Sequence, residues 1–137
     1  MSKKMLGAYQ KVQTHTATPI QRVLLVYNGI ARNLNMAIEA FSSGEPERFE
    51  IINNSVQLAE RLIHELDMAL DKERGGEIAE QLNSLYAFWI THLSHANREK
   101  DVQKIKEVLH MVEELNEGWI GVEQQLKEQQ ADENAGN

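Results

Sequence analysis

The chain has five histidines and no cysteine. Disulfides and thiol chemistry are therefore excluded. His92 and His95 stand three residues apart, close enough in angle to share one side of a helix. Further on, Glu107 and His110 form a Glu-x-x-His pair. A di-iron carboxylate site built between helices needs two such pairs, plus a glutamate from each remaining helix. The only other close candidate, Glu60 with His64, has a spacing of four. The ligand set is incomplete, so the histidines read as surface or satisfied side chains. The serines lie in helical pattern or in the Ser42-Ser43 turn, and none follows a strand as a nucleophile elbow requires. Gly75-Gly76 lacks the spacing of a phosphate cradle and has no strand before it. Neither an enzyme nor a cofactor is expected from these residues.

What would position such side chains is helical throughout. Apolar residues recur at steps of three and four in four segments, and no strand-like alternation interrupts them. The first segment opens at Thr18-Pro19, an N-cap followed by a proline suited to the first helical position. It carries Ile20, Val23, Leu24, Tyr27, Ile30, Ala31, Leu34, Ile38 and Phe41, and stops at Gly44-Glu45-Pro46. The second runs to about Leu70 with Phe49, Ile52, Val56, Ala59, Ile63, Leu66 and Leu70 in register, and the adjacent glycines of "DKERGGE" end it. The third covers roughly 77–97, with Ile78, Leu82, Leu85, Trp89, Leu93 and Ala96. The fourth begins near Asp101 and carries Ile105, Val108, Val112, Leu115, Trp119, Val122 and Leu126. Short connections make successive helices antiparallel neighbours. The expected fold is all-α: an antiparallel up-down four-helix bundle with an extra N-terminal segment packed on it.

Two helices carry more apolar residues than one core stripe needs. The second adds Ile51, Leu58, Leu62 and Ala69; the third adds Ala79, Tyr86 and Ile90. One reading is a wide core stripe with singly exposed apolar residues. The other is a groove for a partner helix or extended peptide. Trp89 and Trp119 fall on main stripes and read as core, whereas Tyr86 lies off its stripe and suits a groove anchor. Ahead of the first helix, Met5, Leu6, Tyr9 and Val12 are apolar residues with no helix of their own to complete.

Composition bounds the partners. At 137 residues, 42% apolar and 26% charged, the chain suits one globular domain. The net charge of −7 is concentrated in residues 107–137, which hold eight acidic residues and one basic. No basic face appears, so a nucleic-acid partner is not expected. The longest apolar run is the five residues from Val23 to Tyr27, so no membrane insertion is expected, and no secretory signal is visible. Absence of cysteine fits a cytoplasmic protein.

Six short stretches, in order, resemble the FliS family of flagellin export chaperones. They are "AYQKV" (8–12), "TATP" (16–19), "VYNG" (26–29), "LDKERGGEIAEQLNSLYAFW" (70–89), "HANREKD" (95–101) and Trp119. The resemblance spans about residues 8–122. Thr18 stands where the family usually has serine and keeps the capping hydroxyl; Asn28 stands where aspartate is usual and removes a charge.

The resemblance implies a non-enzymatic cytoplasmic chaperone. Its partner would be the C-terminal segment of flagellin, disordered before assembly, which it keeps from premature polymerisation and helps deliver to the flagellar export apparatus. A component of the export gate would be a second partner. The contact residues chosen from stripe geometry are Ile51, Val56, Leu58, Leu62 and Tyr86, with Leu6 and Tyr9 in a gating role. The expected organisation is an N-terminal segment (1–17) covering the groove, a four-helix chaperone domain (18–128) and a disordered polar tail (129–137). Leu6, Tyr9 and Val12 would either plug the empty groove, wall the filled one, or simply pack outside it. The rival readings are an adaptor with another partner on the same fold and a metal-dependent bundle enzyme using His92, His95, Glu107 and His110.

Overall fold

The computed structural model describes residues 2–9 and 18–136. Within them the chain forms α1 (Ser2–Gly7), α2 (Pro19–Phe41), α3 (Arg48–Met68), α4 (Lys72–Glu99) and α5 (Val102–Ala135). The described residues include no strand.

Local chemistry sets most of the boundaries. At the start of α2 the Gln21 amide donates to the Thr18 hydroxyl and the Thr18 amide to the Gln21 side chain, each at 3.1 Å, with Pro19 in the first turn. This reciprocal pair satisfies two donors that a helix start leaves unpaired. After α2, Gly44 takes a positive φ of 72° and turns the chain. Asp71 accepts the Arg74 amide and Asp101 accepts the Gln103 amide, capping α4 and α5.

Three boundaries differ from expectation. α4 begins at Lys72, one turn before Gly75-Gly76, because the Asp71 cap starts a helix there. The chain then kinks at Gly76 (φ 50°, ψ −127°), a conformation open to glycine, and resumes. α5 continues to Ala135, through most of the residues read as a disordered tail. Their lack of large apolar side chains keeps them out of the core, but Gln129, Gln130, Ala131, Glu133 and Ala135 are good helix formers and extend a helix already started. The apolar stub before Thr18 contains a short helix, α1.

α2 packs on α3 and α5, α3 on α4, and α4 on α5; α1 lies against α4 and α5. Polar pairs mark the registers. Arg22 near the start of α2 meets Glu65 near the end of α3 at 2.7 Å. Asn97 late in α4 donates to Asn53 early in α3, and Asn83 to Asp67. The core is one continuous cluster, with Leu34, Ile63, Trp89, Leu93, Ile105 and Trp119 among its fully buried members.

The α4 stripe is rotated from the expected one. Ala79, Leu82, Tyr86, Trp89, Leu93 and Ala96 are buried, while Ile78 and Leu85 are only partly so. Phe49, expected in the α3 stripe, is 50% exposed.

Candidate partner-binding site

The chain has three tyrosines, and all three meet at one point. Tyr9 follows α1, Tyr27 lies in α2 and Tyr86 in α4; each is fully buried. The Tyr9 and Tyr27 hydroxyls each lie 2.7 Å from the Tyr86 hydroxyl, and Tyr9 donates to the Leu66 carbonyl at 3.1 Å. A phenol has one proton. With Tyr9's given to Leu66, Tyr86 donates to Tyr9 and Tyr27 to Tyr86, so the chain of donors ends on the α3 backbone. The rings are wrapped by the two tryptophans: Tyr9 sits edge-on to Trp119 at 5.3 Å, and Tyr86 tilts against Trp89 at 5.4 Å. Burial pushes all three phenols well above the ordinary value of 10.0, and mutual repulsion between phenolates adds to it.

Tyr9 reaches this point because α1 is held close to the α4 start. The Asp71 amide donates to the Ala8 carbonyl at 2.7 Å. Gly7 lies so near α4 that an added Cβ would come within 2.7 Å of the Arg74 carbonyl oxygen. A Cβ on Gly75 would be 3.0 Å from the Ala8 Cα. These two glycines admit a backbone-to-backbone approach that any side chain would block. Met5 packs over Gly118 of α5. A cavity of about 50 Å³ beside Tyr9 lies between α2 and α3, with Arg22 and Glu65 in its lining. Beside α1 itself, Met5, Ile78, Leu85 and Leu115 help line an apolar cleft of about 220 Å³.

A second feature runs along α2 and α3. Leu25, Gly29 and Met36 follow one another at steps of four and seven, as do Ile51, Leu58 and Leu62, so each trio shares a helix face. The two faces adjoin: an added Cβ on Gly29 would lie 3.1 Å from the Leu62 Cδ1. Leu25 is 59% exposed, Met36 46% and Leu58 45%, while Ile51 and Leu62 are half-buried. The result is an apolar strip with the Arg22–Glu65 pair on the same two faces.

The seven residues chosen from sequence therefore divide. Tyr9 and Tyr86 touch; Leu6 packs partly buried against the core. Ile51, Leu58 and Leu62 lie together on the α3 side of the strip. Val56 is a correction to the surface set: it is fully buried, because its spacing from Ile52 and Ala59 places it on the core stripe. Tyr86 is likewise no open anchor here, since Tyr9 covers it. Val12 lies outside the described residues. Sequence reasoning missed Leu25, Met36 and Tyr27 as site residues; the steps of four and seven through Gly29 were the available signal for the first two.

The histidines of the metal reading, His92, His95 and His110, do not gather at one site. His92 Nε2 lies 2.7 Å from Glu107 with its ring stacked on Phe88; His110 pairs instead with Glu114 on its own helix, and His95 is exposed. Among the described residues no three His, Asp or Glu side chains gather to hold a metal ion. Nor is any helix among them long and apolar enough to cross a membrane.

Among the described residues, which form helices and turns, Leu25, Met36 and Leu58 leave an uncovered apolar strip, a feature common at interaction surfaces. Comparison with known proteins identifies the group. The family model described as flagellar protein FliS matches residues 2–126, and the chain belongs to this family. The flagellar secretion chaperone FliSB of Pseudomonas aeruginosa is 32% identical over 124 residues, covering 87% of this chain and 95% of that protein. The Campylobacter jejuni flagellar secretion chaperone FliS is 34% identical over 116 residues, 82% of this chain and 86% of that protein. The Bacillus subtilis flagellar secretion chaperone FliS is 29% identical over 112 residues, 82% and 80% respectively.

Proposed function

We propose that this protein is a flagellar secretion chaperone that binds the C-terminal segment of flagellin in the cytoplasm. It holds the segment out of premature polymerisation and hands it to the flagellar export apparatus, where a gate component is its second partner. The body of the chaperone is an antiparallel up-down four-helix bundle of α2–α5 over residues 18–128, followed by a polar tail (129–137).

The observation that supports this reading is an exposed apolar strip beside Tyr9, a residue outside the main helices seated against Tyr86. Leu25, Met36 and Leu58 stand uncovered on α2 and α3, in a chain of a flagellar family. An amphipathic segment laid on that strip buries apolar area over a long path, at about 25 cal/mol per Å², while ordering the segment offsets much of the gain. The outcome is moderate affinity, which suits cargo that has to be released. In this reading residues 1–17 act as a gate, with Leu6 and Tyr9 in the gating role when cargo is absent; of the two, Tyr9 covers Tyr86. Ile51, Leu58 and Leu62 contact the cargo directly. Calorimetric titration of the flagellin C-terminal segment from the same bacterium into the full chain tests the proposal. Saturable one-to-one binding supports it, and loss of that binding in a Leu25→Glu, Leu58→Glu chain assigns the surface.

A further inference from the structure

The place occupied by Tyr9 differs chemically from an apolar pocket. Its walls include Trp119 and Val23, but two polar atoms point into it: the Tyr86 hydroxyl and the Leu66 carbonyl, each satisfied in part by the Tyr9 hydroxyl. Tyr86 is fully buried and Tyr27 already donates to it from the far side. If Tyr9 left and an aliphatic side chain took its place, the buried Tyr27–Tyr86 pair would keep two hydroxyl protons and only the one contact between them, so one proton would lose its acceptor. Leaving a buried donor unmade costs more than the bond itself contributes. The cavity beside Tyr9, at Arg22 and Glu65, gives an entry from the α2–α3 side.

We infer that the Tyr9 seat is a recognition pocket for a side chain with an apolar body and a hydrogen-bonding tip, and that a partner displacing Tyr9 must supply such a residue. This rests on the reading of the N-terminal segment as a gate. It adds a specificity rule: the apolar strip on α2 and α3 accepts any amphipathic segment of fitting length, whereas the seat selects for one anchor that accepts from Tyr86 and donates to Leu66.

The test uses the full chain carrying Tyr9→Ala, with p-cresol and toluene as matched occupants and Trp119 emission or calorimetry as the readout. p-Cresol should bind about tenfold more tightly than toluene, the two restored hydrogen bonds outweighing its greater hydration. Adding Tyr86→Phe should remove most of that preference. Equal or tighter binding of toluene overturns the inference. Should Tyr9→Ala fold poorly, Tyr9→Phe serves instead: amide exchange at Asp71, whose N–H is held by Ala8, should quicken about tenfold, and an unchanged rate overturns the inference. The flagellin C-terminal segment is then titrated into the Tyr9→Ala and Tyr9→Ala, Tyr86→Phe chains. A polar anchor predicts about tenfold weaker binding to the second; unchanged or tighter binding contradicts it. If flagellin binds no variant, the chaperone reading falls, and the p-cresol comparison still decides the chemistry of the seat.

Discussion

The Tyr9 hydroxyl lies 2.7 Å from the Tyr86 hydroxyl, joining a residue outside the main helices to the middle of α4 across 77 positions of sequence. Through Tyr86 the contact continues to Tyr27, and through Leu66 to the α3 backbone. One residue thus hydrogen-bonds α3 and α4 directly, reaches α2 through Tyr86, and meets α5 at Trp119. What holds the N-terminal segment in place is a specific polar contact within an aromatic surround, not apolar burial alone.

Replacing Tyr9 by Phe keeps the ring and removes the hydroxyl. The Leu66 carbonyl and the Tyr86 donor are then left with one partner fewer, so stability should fall by about 1–2 kcal/mol. Urea unfolding of the two chains under identical conditions measures this. A difference below a few tenths of a kcal/mol would mean that the hydroxyl contacts are not formed in solution.

Gly7→Ala tests the close approach of α1 to α4. The added Cβ would stand 2.7 Å from a backbone oxygen that cannot rotate away. The expected result is release of α1 with α2–α5 still folded: Trp119 emission moves to the red as Tyr9 leaves its face, while the main helical melting transition is retained. Unchanged Trp119 emission would show that α1 does not dock this way.

Alkali should unfold the protein cooperatively. The folded chain holds all three phenols neutral, with values raised above the ordinary 10.0, so the unfolded chain ionises first. Their contribution is fully present below about pH 10 and is lost as pH rises beyond it. The melting temperature should be level through neutral pH and drop above about pH 10, with phenolate absorbance appearing alongside unfolding. A phenol that titrates near its ordinary value in the folded chain would contradict the buried cluster.

Leu25→Glu with Leu58→Glu should barely change stability, within about 0.5 kcal/mol for each exposed position. The same pair should weaken binding of the flagellin C-terminal segment by tenfold or more, since each glutamate puts a charge on the apolar strip. A large loss of melting temperature would instead make these residues structural.

The sequence was informative where structure is local and less so where it is not. Thr18-Pro19, Asp71 and Asp101 carry their chemistry within a few residues, and the all-helical class follows from apolar spacing. On α4, Leu85 and Tyr86 fit the step from Leu82 to Trp89 equally well. What separates them is Tyr9, whose arrival no local pattern announces. α1 is six residues long, too short to declare itself by propensity, and depends on Gly7 and Gly75 fitting backbone against backbone. Half of the candidate site was legible as extra apolar residues, Ile51, Leu58 and Leu62. Their partners on α2 were not, because Leu25 and Met36 are separate exposed residues until the chain folds them beside α3.

Calorimetric titration of the flagellin C-terminal segment into the wild-type chain and into Gly7→Ala is the most direct measurement of the gated-chaperone account. The account predicts one-to-one binding with a dissociation constant of tens of micromolar or tighter, about −6 kcal/mol or better, and tighter still once α1 is released. No binding at that concentration would contradict the chaperone reading, and weaker binding to Gly7→Ala would show that α1 is a wall of the site and not its plug.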